Sequence, residues 1–164
     1  MAAAIPTASE REGLASFLDR QREALVKKVQ GVGDDDARRA PTVSSLSLLG
    51  LVKHSTVWEQ RWFHCVVGGR SLADGWPERK ASIADEDFLV GGQDTVEAWV
   101  TRYEAAVETS RQIVAATELD DPCVRTDIIE CNVRCVVLHM IEETARHAGH
   151  ADIIRETLDG SRGT

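Results

Sequence analysis

The chain has 164 residues and a formal net charge of −8, with 27 acidic against 19 basic side chains and a pI near 5.1. That length supports one domain with a sizeable core, and 43% hydrophobic with 28% charged residues is the balance of a soluble globular protein. The acidic surplus excludes the basic footprint of a nucleic-acid binder and electrostatic attachment to anionic lipid, and no apolar run reaches the roughly 18 residues of a membrane span.

The first residues, Met-Ala-Ala-Ala-Ile-Pro-Thr-Ala, carry neither a basic region nor a hydrophobic segment of the secretory kind. Residues 1–8 are expected to form a disordered arm on a cytoplasmic protein. A first helix is expected over about 10–30, with Leu14, Phe17, Leu18, Leu25 and Val29 near helical spacing. Ser9 stands at its N-cap and Glu12 completes a capping box. The Gly31-Val-Gly-Asp-Asp-Asp stretch that follows reads as a solvated turn, without the spaced ligands of a calcium loop.

A second helix should start at Ser44 or Ser45 and stop at Gly68-Gly69. Its apolar residues, from Leu46 through Val66, cover most of the circumference, which marks a central helix or one shared with an oligomer interface. Residues 70–92 form a long link, with a short turn expected within 81–88; links of this length are often functional. A third helix is expected over about 95–117, capped by Asp94 or Thr95. Residues 118–130 show no strong pattern. The last helix should start between Ile129 and Val133 and end near Gly160, a good C-terminal stop. Four such helices, with no strand-like alternation, predict an all-α four-helix bundle over residues 9–160 and a short tail over 161–164.

The four cysteines, Cys65, Cys123, Cys131 and Cys135, contain no Cys-x-x-Cys pair and read as buried free thiols in a reducing compartment. The chemistry concentrates in the last helix. Glu143 and His147 stand four residues apart and share the apolar face of Val133, Val136, Met140, Ala151, Ile154 and Leu158. A carboxylate and an imidazole in such a stripe need partners. Two solutions remain open at this level: an i,i+4 pair in a solvated groove, or a metal site completed from a facing helix.

For the metal, His54 in the second helix is the natural third ligand, on the side of Leu51, Trp58 and Cys65, whereas His64 is expected close to solvent. Two imidazoles and a carboxylate suit a divalent ion, Zn2+ first, with Ni2+, Co2+ or Fe2+ as alternatives. Three protein ligands leave positions open for chemistry. Trp58, Arg61 and His150 are candidates to line the cavity, with Arg61 able to neutralise a carboxylate on a bound molecule. His139 lies at the edge of the stripe, and Arg146 with Glu142 reads as an exposed i,i+4 pair.

Leu-Val-Lys-His-Ser-Thr-Val-Trp-Glu-Gln-Arg-Trp-Phe (51–63) and Leu-His-Met-Ile-Glu-Glu-Thr-Ala-Arg-His-Ala-Gly-His-Ala-Asp-Ile-Ile-Arg-Glu (138–156) resemble the DinB-like superfamily of four-helix metalloproteins. The resemblance spans nearly the whole chain and is loosest over about 70–95. It implies an up-down-down-up bundle with a metal held by the second and fourth helices. Many members have His-x-x-x-His on the last helix; here Glu143 takes the first position, as in the mycothiol-dependent maleylpyruvate isomerases and related transferases, so His54, Glu143 and His147 carry over as ligands. His150 falls where many relatives have Gln.

The resemblance implies a metal-dependent thiol S-transferase in which a metal-activated low-molecular-weight thiol, mycothiol first, attacks a small electrophile. The isomerases carry a further C-terminal domain, which favours the transferase reading for a chain ending at Thr164. A homodimer is expected from the second helix and from family habit. Two other readings use the same ligands: a non-catalytic metal-binding protein of stress response, and a hydrolase using metal-bound hydroxide.

Overall fold

The structure is a computed structural model that describes residues 9–78 and 86–162. The proposed N-terminal arm over 1–8, and residues 81–85 of the turn expected within 81–88, lie outside the described residues. Helix α1 spans Glu10–Val29, α2 Asp34–Arg38, α3 Leu48–Glu59, α4 Val96–Ala115 and α5 Val133–Asp159. The rod of α3 continues without a break as a π-helical segment, Gln60–Val67, and Glu86–Phe88 forms a 3-10 turn. Among the described residues there is no strand, only one isolated bridge between Pro122 and Asn132. The architecture is the all-α one expected, built on four long helical rods.

Each rod starts where a short polar side chain can satisfy the backbone N–H groups left open at a helix N-terminus. Ser9 accepts from the Glu12 N–H, Ser47 from Gly50, Thr95 from Ala98 and Asn132 from Cys135. The second rod therefore begins at Leu48, not near Ser44, because Ser47 is the residue whose oxygen reaches the first turn. Thr95, not Asp94, caps α4. At the other end of α5, Gly160 takes the left-handed conformation (φ 77°) that closes a helix cheaply only with glycine.

The triple aspartate is not a plain turn. Asp34, Asp35 and Asp36 open the short helix α2, where acidic residues at the N-terminus suit the helix dipole. Asp34 also accepts from the Val96 N–H at the start of α4 (2.8 Å). This ties the first connection to the third rod.

Helix α1 packs along α5, and α3 along α4, with α3 also touching α1, α5 and the 3-10 turn. Much of the apolar circumference of α3 is thus covered within a single chain: Leu48, Leu49, Leu51 and Val52 are buried, and Val57 and Trp58 are half-buried. The core divides into two apolar clusters. One joins Leu25, Leu49, Val52, Tyr103, Ala151 and Ile154; the other joins Leu18, Phe63, Val66, Val133, Val137 and Met140.

Between these clusters, along both α3 and α5, runs a stretch where buried polar side chains replace aliphatic ones. His54, Thr56, Glu59 and Arg61 supply it from α3 and its π segment, and Thr144 and His147 from α5. Arg22 enters from α1, between Leu18 and Leu25. Burying polar groups is costly without partners, so this layer is where the fold concentrates its polar interactions.

The cysteines depart from the expected burial. Cys65 and Cys123 are buried, Cys131 is half-buried and Cys135 is exposed, because Cys135 falls on the outer side of the first turn of α5. Cys123 and Cys131 face each other across the isolated bridge, sulfur to sulfur at 3.6 Å. Among the described residues, no helix is long and apolar enough to cross a membrane.

Candidate metal centre

His54 reaches the site from the middle of α3 and Glu143 and His147 from the middle of α5. The i,i+4 spacing stacks the last two on one face of their helix. Taking one ligand atom from each of the three residues, all lie within 4.8 Å of one another. Nε2 of His147 donates to Oε1 of Glu143 at 3.0 Å, and Nε2 of His54 stands 3.6 Å from the same oxygen. Both histidines are nearly sealed from solvent, at 3% and 6% exposure. The structure therefore brings together the three residues proposed as ligands.

The ligand atoms fit a cation. Both ring nitrogens of His54 and Nδ1 of His147 are buried without a hydrogen-bond partner among the described residues, which is a costly state for polar atoms unless something else binds them. Burial holds the His54 imidazole down to about 2, with His147 and Arg61 adding to the effect. Burial also lowers His147, against the opposing pull of Glu143. Neutral imidazoles and a carboxylate are the forms a divalent metal requires. A cation held by the three would replace the proton now shared between His147 and Glu143.

Glu143 is held from its other side. Its Oε2 accepts from Arg146 at 2.5 Å while Oε1 faces the histidines. Arg146 does pair with Glu142 as expected, but its second arm grips the site carboxylate. That link was hidden in the sequence because three- and four-residue spacings both reach the same helix face.

Other residues take different places. Trp58 meets His54 edge-on at 5.2 Å between ring centres. Arg61 is buried, with its guanidinium on Asp87 at 2.6 and 3.3 Å. His150 lies beside His147, 5.7 Å between rings, and borders a groove of about 310 Å³ with Thr42, Leu46 and Ile153. His139 packs against Trp62 at 4.4 Å and stands apart from the three. His64, expected near solvent, is half-buried and donates to the Ala106 carbonyl at 3.0 Å. The π segment explains this: its wider turn rotates every side chain after Glu59 away from the 3.6-residue phase.

Sequence reasoning missed Phe88. Its ring lies flat on His54, with centres 3.9 Å apart and planes 11° from parallel, and meets His147 edge-on at 5.6 Å. The available signal was the short apolar patch Phe88-Leu89-Val90 inside an otherwise polar link.

A bundle of long helices with His54, Glu143 and His147 brought together in its core is the arrangement of a DinB-like helical protein. The solved structure of a conserved Enterococcus faecalis protein is similar, with a TM-score of 0.72 at 14% identity over 94% of this chain and 100% of that one; at that identity the likeness speaks for the fold alone. A comparison with curated proteins finds no match. The family model for mycothiol-S-transferase matches residues 13–160, and the chain belongs to that family.

Proposed function

We propose that this protein is a metal-dependent thiol S-transferase that joins a low-molecular-weight thiol, mycothiol first, to a small electrophile. The observation that carries the reading is the meeting of His54, Glu143 and His147 across two helices, in a chain of this family. A divalent ion in such a set, Zn2+ first, supplies stabilisation of a thiolate near neutral pH.

The chain's own residues do the rest. His54 and His147 stay neutral in their burial and offer lone pairs; Glu143 adds a single negative charge, and Arg146 keeps that carboxylate aimed inward. Phe88 and Trp58 wall the site with apolar surface that keeps bulk water away, which strengthens electrostatic interactions inside. In the transfer, the thiol sulfur forms one bond to the electrophilic carbon, the electron pair of the broken bond leaves with the displaced group, and the thiol proton passes to solvent or to that group.

Metal analysis of the wild type beside His54→Ala, Glu143→Ala and His147→Ala, followed by thiol-consumption assays with a bimane electrophile, tests the reading. The metal-loaded wild type should consume mycothiol faster than background, with bacillithiol and glutathione as comparison thiols, and each variant should lose metal. Turnover of an ester or amide without any thiol would favour the hydrolase instead. Metal binding with no thiol consumption would leave a non-catalytic metal-binding protein.

A further inference from the structure

We propose that Phe88 is a positioning residue for His54, and that Arg61 with Asp87 clamps the backbone strap that delivers it. The proposal rests on the metal-centre reading above and adds to it the device that aims one ligand.

A histidine that binds a metal is ordinarily oriented by a hydrogen bond from its second ring nitrogen to a carboxylate or carbonyl. His54 has no such bond: neither of its nitrogens has a partner among the described residues. Its orientation comes from packing. Phe88 lies parallel to one face at 3.9 Å, and Trp58 stands edge-on at 5.2 Å with its plane 84° away. Rotation of the imidazole would drive it into one ring or the other. In the orientation it holds, Nε2 points at Glu143.

Phe88 itself is delivered by a strap fixed at several points. Asp87, its chain neighbour, takes both terminal nitrogens of Arg61. The Arg61 guanidinium sits over the rings of Trp58 and Trp76, at 5.6 and 5.5 Å, and lies 3.7 Å from Asp74. Because Arg61 is buried, this pairing is shielded from water and salt. On the other side, Lys53 donates to the Leu89 carbonyl at 2.5 Å. The backbone of Phe88 lies so close to α3 that a Cβ on Gly50 would stand 2.5 Å from the Phe88 carbonyl oxygen. Contacts on both sides of Phe88 thus hold its ring against His54.

The test measures Zn2+ affinity by competition with a chromophoric chelator for wild type, Phe88→Leu, Phe88→Tyr, Asp87→Asn and His54→Ala. It also records the His54 ring proton resonances of the metal-free proteins. Phe88→Leu keeps apolar bulk but removes the flat face, and should weaken Zn2+ binding about tenfold or more, the usual effect of losing a ligand's support. Phe88→Tyr should bind as wild type does, and Asp87→Asn should weaken binding in the same direction as Phe88→Leu. In the metal-free wild type the stacked phenyl ring should shift the His54 ring protons upfield, and Phe88→Leu should abolish that shift. Wild-type affinity in Phe88→Leu, or His54 resonances that do not move, would overturn the positioning role while leaving the metal centre standing. A wild type that binds no Zn2+, or binds it as well as His54→Ala does, would overturn the metal centre and this role with it.

Discussion

Arg146 and Glu143 are joined by a 2.5 Å hydrogen bond that leaves the other carboxylate oxygen free to face His54 and His147. One residue thereby fixes which oxygen enters the site. Arg146→Met should lower Zn2+ affinity by about tenfold, and Arg146→Lys should recover part of it through a single donor. Chelator competition on the two variants reads the difference.

A second carboxylate in the polar layer depends on its partner more heavily. Glu59 is fully buried, and Arg22 donates to both its oxygens at 2.8 Å while also reaching Asp19 at 2.9 Å. Removing one partner of a buried pair strands a charge, which costs about 3–5 kcal/mol. Arg22→Met should show a loss of that size in urea denaturation. The double variant Arg22→Met/Glu59→Leu should recover most of it, since an apolar pair of similar volume leaves nothing unpaired.

The notch under Phe88 gives a prediction about backbone rather than side chains. Gly50→Ala places a methyl group against the Phe88 carbonyl and against Ser47 Oγ, at 2.5 and 3.0 Å. The strap must rise or α3 must shift, at about 1–3 kcal/mol. Thermal unfolding of the metal-free protein should register the loss. Zn2+ affinity should fall as well, because the ring over His54 is displaced.

Acid should destabilise the metal-free protein. Burial pushes His64 below its ordinary range, with its bond to the Ala106 carbonyl opposing only in part; His54 and His147 are lowered by burial too. A histidine that titrates lower when folded binds fewer protons than its unfolded form, so stability rises with pH across that interval. The contribution is full above about pH 6.5, the ordinary histidine value, and is lost as the pH falls below it. Denaturation of chelator-treated protein at a series of pH values should show this decline. His64→Asn, which keeps a donor for Ala106 without a titrating ring, should make it shallower, leaving the share that comes from His54 and His147.

The local pattern of the chain determined the helices and the pair on α5. Apolar spacing and capping residues depend on neighbours a few positions away, so α1, α4 and α5 begin and end within a residue or two of where Ser9, Thr95, Asn132 and Gly160 put them. The same helical phase set Glu143 and His147 on one buried face. The third candidate, His54, came from a single histidine in an apolar wall and from the resemblance of 51–63 to other DinB-like chains.

What tertiary structure alone decided lies where periodicity breaks or where partners are far apart in sequence. The π segment rotated His64 inward, a change no 3.6-residue wheel contains. The burial of Arg22 on Glu59, 37 residues away, needed α1 and α3 to meet. The placement of Phe88 on His54 needed a loop without helical pattern to be pinned by Arg61 and admitted by Gly50. Such contacts follow from packing between elements. Local spacing holds no record of it, so the sequence brought His54, Glu143 and His147 forward as candidate ligands, while the fold decided what packs against them.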